Sequence, residues 1–155
     1  MTDLTIEREI VVDAPVAVVW QTITEPEQIA QWFADRVELD VRPGGDGTLL
    51  FDENASRQAV RARLVVEAVE PPHRFSFRWG HEEGQQPDPA NSVLVEFTLT
   101  PEGDERTRVR VAETGLEAVV WADDDKARYA DDHRNGWSTN LGRLAGMFAS
   151  PAPPG

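Results

Sequence analysis

The sequence has no cysteine. Disulfides, thiolate nucleophiles and thiolate metal sites are thereby excluded together, and such a chain suits a reducing compartment. Lysine is nearly missing: Lys126 stands alone beside the arginines. Positive charge as a whole is scarce, with 15 Lys and Arg against 28 Asp and Glu, a formal net charge of -13. That balance opposes binding to nucleic-acid phosphates and to anionic membrane surfaces. No apolar run approaches the roughly 18 residues that read as a membrane span. Residues 1–5 carry neither the basic stretch nor the apolar run of a secretory leader. A cytoplasmic location is therefore expected. Histidine occurs only at positions 73, 81 and 133. No two are spaced as metal ligands, so neither a metal nor a cofactor is expected. Gly44, Gly45 and Gly47 fall in a turn between strands rather than at a helix start, which excludes a P-loop or a dinucleotide fingerprint.

What the sequence does contain is alternation. At 155 residues it has the length of one domain. Leu4, Ile6, Ile10 and Val12 share one face of a strand, with Arg8 in phase. Asp13-Ala14-Pro15 then opens a helix, with Asp13 or Ala14 at its cap. Val16, Val19, Trp20 and Ile23 form its apolar side. A second short helix starts at Thr24-Glu25-Pro26-Glu27, either through a capping box or with Glu25 as cap, and runs to about Ala34-Asp35. From residue 36 the period changes to two. Six runs follow, among them a long strand whose inner row is Val60, Ala62, Leu64, Val66 and Ala68. Phe75, Phe77 and Trp79 form the next inner row. Val93, Val95, Phe97 and Leu99 then alternate, as do Val109, Val111 and Glu113. Residues 124 to about 149 read as one long helix, with Asp123 to Asp125 at its start, where the helix dipole favours negative charge. Strands and helices do not alternate, which argues against a doubly wound fold. The expected fold is α+β: a curved antiparallel sheet wrapped around a long C-terminal helix, with two short helices after the first strand. Residues 1–149 form one domain in this reading and 150–155 a disordered tail.

Several phrases are more specific. Residues Ala14 to Trp20, Thr24 to Phe33, Leu39 to Gly45, Val69 to Phe75, Phe77-Arg78-Trp79, Glu113 to Leu116 and Gly136-Trp137 occur in the order found in one family. The chain resembles the Hsp90-ATPase-activator homologues (AHSA1-like), members of the START-like, Bet v 1-like (SRPBCC) superfamily. The resemblance extends from about residue 6 to 148. It implies a helix-grip fold with a cavity between sheet and long helix. It further implies a small apolar ligand, lipid-like or aromatic and polyketide-like. Two alternatives accompany it. One is a cyclase or hydrolase using Glu113 and His133 in that cavity. The other is a chaperone-interacting domain like the Hsp90 activators, with a protein partner. The oligomeric state is left open between monomer and homodimer.

Glu113 is the sharpest single candidate. It is in phase with Val109 and Val111, so an inward carboxylate is expected, and a buried carboxylate needs partners. It would bind a ligand hydroxyl or move a proton, unless a neighbouring arginine or indole merely satisfies it. His133 lies one helical turn before Trp137 and is a candidate proton shuttle. Trp32, Trp79 and Trp137 are expected to line the cavity with Phe33, Phe51, Phe77, Phe97 and Tyr129, against core packing as the plainer account of each. Arg61, Arg63, Arg78, Arg108 and Arg110 fall on outward faces, where pairing with Glu67 and Glu96 explains them before a docking surface does.

Overall fold

The computed structural model describes residues 4–52, 59–80 and 85–148. His81, the turn expected after Asp52 and the tail 150–155 lie outside these residues. Among the described residues, alternating apolar residues produce seven strands: β1 (Ile6–Val12), β2 (Arg36–Leu39), β3 (Asp46–Phe51), β4 (Val60–Glu70), β5 (Arg74–Trp79), β6 (Val93–Pro101) and β7 (Thr107–Thr114). They form one antiparallel sheet in the order β1-β7-β6-β5-β4-β3-β2. Two short helices follow β1, α1 (Val16–Thr24) and α2 (Pro26–Ile29), and the long helix α3 (Asp123–Gly146) is the last described element. The inner rows of the sheet and the Trp137, Leu141 and Leu144 face of α3 are buried in one core. Each fully buried ring or branched side chain there contributes about 1.5–3 kcal/mol.

Register places the interior. Ile6 of β1 and Val95 of β6 flank Glu113 of β7, and Trp79 of β5 pairs with Val93, two residues along β6. Four rows therefore converge on one spot beneath α3. Arg8, in phase with the inner row of β1, donates its Nε–H to Ser138 Oγ of α3 at 2.8 Å. On the outer face Arg78 pairs with Glu67 at 2.8 Å, Arg74 with Glu96 at 3.0 Å, Arg108 with Glu9 and Glu102, and Arg110 with Glu7. Cross-strand pairing thus accounts for the outward arginines, and Arg61 and Arg63 also have partners.

Local structure departs from the sequence reading at the start of α1, the end of α2 and the middle of β4, and it decides between the two caps left open for α2. Pro15, in extended conformation, is the N-cap of α1, because Asp13 is engaged with Arg106 at 3.2 Å and Ala14 turns back onto the Val12 carbonyl. At α2 the choice falls on Glu25 as cap with Pro26 first, while the Thr24 hydroxyl donates to the Trp20 carbonyl at 2.7 Å. Helix α2 stops at Ile29 rather than near Asp35. Beyond it Trp32 donates its indole N–H to the Thr22 carbonyl at 3.0 Å, and Asp35 N–H joins the Leu50 carbonyl of β3, so the chain is drawn out to the sheet. The long strand carries a bulge between Val66 and Ala68. Val69, opposite Phe75, takes the inner row in place of Ala68, which faces Ser76.

After β7 the chain turns through Gly115 at φ +90°, which a residue with a Cβ rarely adopts, into a single 3-10 turn at Leu116–Ala118. The sole lysine ties this turn to α3: Lys126 is buried and its ammonium donates to the Glu117 carbonyl at 3.0 Å.

Candidate functional site: an anchored aromatic wall

Glu113 is almost wholly buried, its side chain 1% exposed. Its two oxygens accept four hydrogen bonds. Oε2 accepts from the Trp79 indole N–H at 3.2 Å and the Tyr129 hydroxyl at 2.8 Å. Oε1 accepts from His133 Nδ1 at 2.7 Å and from the Trp137 indole N–H. A carboxylate offers about four acceptor sites, so this one is saturated. An isolated buried charge costs several kcal/mol, and here four donors offset that cost. Positions 129, 133 and 137 fall at successive helical turns, which puts three of the donors on one face of α3. The fourth comes from β5, so the carboxylate joins the long helix to the sheet.

The donors also pack on one another. The Tyr129 and His133 rings stack at 3.7 Å, and Trp79 meets His133 edge-on at 5.6 Å. Burial first, and then the Glu113 carboxylate, push the Tyr129 phenol well above its usual range. Tyr129 is the only tyrosine in the chain, so absorbance titration at 295 nm isolates it. The expected midpoint lies above the ordinary value of about 10. Because the folded state holds this proton more tightly, the stabilisation is complete below that ordinary value. It falls away as pH rises from there through the folded midpoint. A midpoint at or below the ordinary value would contradict the buried hydrogen bond.

Beside this cluster lies a cavity of about 980 Å³. Trp79, Tyr129, His133 and Trp137 form one wall of it, so the residues that hold Glu113 on one side face the cavity on the other. Trp32, Phe33 and Phe51 also line it, as do Val60 and Ala62 of β4. Phe33 is the hub, 5.0 Å from Trp137, 5.7 Å from Trp79 and 5.2 Å from Trp32 between ring centres. Three of the residues expected at the cavity are elsewhere. Phe77 and Phe97 pack deeper against Phe75, and Glu113 sits behind the ring wall. The structure brings Glu113 and His133 together, but only His133 reaches the cavity. His73 instead lies near the Leu99 carbonyl.

Gly136 and Arg143 also line the cavity and escaped the sequence reading as site residues. A Cβ built on Gly136 meets nothing within 4 Å. The available signal was a glycine inside a helix, at a cost of about 1 kcal/mol relative to alanine, on the stripe shared by Tyr129, His133 and Asn140. Among the described residues no cluster of His, Asp and Glu is placed to hold a metal, and no helix is long and apolar enough to cross a membrane.

The sequence matches the family of activator of Hsp90 ATPase homolog 1-like proteins over residues 13–149. This chain belongs to that family. Its resemblance to the Hsp90-activator homologues is thereby established, and the fold agrees. The Aha1 dimer from Colwellia psychrerythraea superposes with a TM-score of 0.69 at 16% identity, covering 96% of each chain. CalU16 from Micromonospora echinospora is 27% identical with a TM-score of 0.62, over 95% of this chain and 76% of CalU16. DynU16, from the dynemicin biosynthetic locus, is 27% identical with a TM-score of 0.68 over 93% of this chain. The present chain spans about half of DynU16, 46% of its length. No curated protein matches the sequence. This member of the activator-homolog family therefore has the helix-grip architecture, with its buried glutamate and aromatic cavity side by side.

Proposed function

We propose that the protein binds a small, mainly apolar molecule in the cavity between α3 and the sheet. The observation that carries this reading is the wall of Trp79, Tyr129, His133 and Trp137, held from behind by Glu113 and facing a cavity of about 980 Å³. Ligand sites are typically concave spaces of roughly 300–1,000 Å³ with aromatic walls and a few polar groups. Rings fixed before the ligand arrives lose little freedom on binding, which favours affinity. DynU16, a relative at 27% identity, comes from the dynemicin biosynthetic locus, which supports a biosynthetic small molecule as the ligand. Thermal-shift and native mass-spectrometric screening against fatty acids and aromatic polyketides tests the proposal. A saturable rise in melting temperature, with quenching of the fluorescence of Trp79 and Trp137, is expected for one class. Uniformly flat responses would overturn it.

One observation favours a second reading, as an enzyme. His133 Nδ1 faces the Glu113 carboxylate at 2.7 Å. In the neutral ring that bond places the proton on Nδ1 and leaves Nε2 able to accept one. His133 then acts as the base and Glu113 orients it. A bound ligand recovered unchanged in mass and isomer composition after incubation removes this reading.

A further inference from the structure

We infer that the ligand is an elongated acid whose carboxylate is bound by Arg143, with its uncharged end toward His133. This inference rests on the binding proposal and adds the chemistry and direction of the occupant. Tyr129, His133, Gly136, Asn140 and Arg143 follow one another at three- and four-residue steps along α3, and all line the cavity. His133 and Arg143 are ten positions apart, about 15 Å at the helical rise. The cavity therefore favours a long molecule lying parallel to α3.

The charges along this axis are unequal. Arg143 is the only lysine or arginine among the described lining residues. Exposed at the cavity, it has no hydrogen-bond or ion-pair partner among the described residues, although Arg74, Arg78, Arg108 and Arg110 each have an acid beside them. In a chain with 28 Asp and Glu, an arginine facing a cavity without an acid partner is an open anion site. The guanidinium is suited to it, since its planar fork of N–H donors matches a carboxylate. Half-buried Asn140, one turn earlier, supplies a second side chain able to donate. The opposite end is acidic: Asp132 lines the cavity there, and Glu113 lies behind His133. Asp35 also lines the cavity, and its carboxylate accepts the Asp52 N–H at 2.6 Å. An anion is thus repelled from the His133 end and held at the Arg143 end. The helix dipole favours a cation in the last turn of α3, but only the spacing along the helix turns that cation toward the cavity.

Dodecanoate and dodecan-1-ol, matched in length and differing in charge, test this by competition against tryptophan fluorescence. The full chain at neutral pH and low salt is expected to bind the acid about tenfold more tightly or better, as for a charge-assisted pair. Added salt should narrow that ratio. Arg143→Gln should bring the ratio close to one. Arg128→Gln, on the same helix but paired with Asp125 and outside the cavity, should preserve it. Equal binding of acid and alcohol to the unaltered protein, or an undiminished ratio in Arg143→Gln, overturns the inference while leaving the cavity proposal standing. Binding of neither probe overturns the inference, and the cavity proposal falls with it only when the aromatic polyketides fail to bind as well.

Discussion

Glu113→Ala is expected to destabilise the protein by about 3–5 kcal/mol, in the range seen when one partner of a buried network is removed. The mechanism is the loss of four hydrogen bonds at once. Tyr129 and His133 line the cavity and can turn to water. The indole N–H groups of Trp79 and Trp137 belong to rings only 6% and 2% exposed. Each buried donor left without an acceptor costs about 1–3 kcal/mol. Part of that loss is offset because no carboxylate remains to be desolvated. For a domain of this size the melting temperature should fall by roughly 2–4 °C per kcal/mol. Glu113→Gln is the informative companion. It keeps the shape, but its amide nitrogen would confront donors, so a smaller loss of about 1–3 kcal/mol is expected. Urea denaturation of the three proteins gives the order directly. Wild-type stability in Glu113→Ala would show that the network does not join α3 to the sheet.

Gly136→Phe is expected to abolish ligand binding, by at least about tenfold, without destabilising the fold. Most substitutions that damage a site also damage stability, and this one separates the two. Gly136 lies between His133 and Arg143 on the cavity face of α3, one turn from His133, with open space where its Cβ would be. Replacing a helical glycine removes a backbone-entropy cost, worth up to about 1 kcal/mol for alanine and less for phenylalanine. The added ring enters the cavity and divides its length. Gly136→Ala serves as the control, gaining the helical stabilisation while leaving most of the space. Thermal unfolding and ligand titration on the same samples read both quantities. Ordinary affinity in Gly136→Phe would place the ligand outside this cavity and overturn the proposed function.

Alternation and helical spacing by themselves determined the element order, the inward rows of β1, β5, β6 and β7 and of β4 up to its bulge, and the inward direction of Glu113. Those are properties of a backbone with a period of two or 3.6, and they need no knowledge of what lies opposite. The same local rules extended α2 too far, because a continuous apolar phrase does not record that Trp32 must reach Thr22 and that Asp35 must join β3. The phase reversal in β4 is likewise decided by pairing with β5, where Val69 rather than Ala68 meets Phe75. Aromatic residues announced a core or a cavity without distinguishing them, since Phe97 and Phe33 look alike in sequence. Only the packing of α3 over the sheet sorted them, sending Phe77 and Phe97 inward and leaving Trp79, Tyr129, His133 and Trp137 at the cavity. The convergence of four donors on one carboxylate belongs to the tertiary structure as well. Hydrogen bonds between residues as far apart as Trp79 and Glu113 depend on which strands and which helix face become neighbours, and spacing along the chain does not encode that.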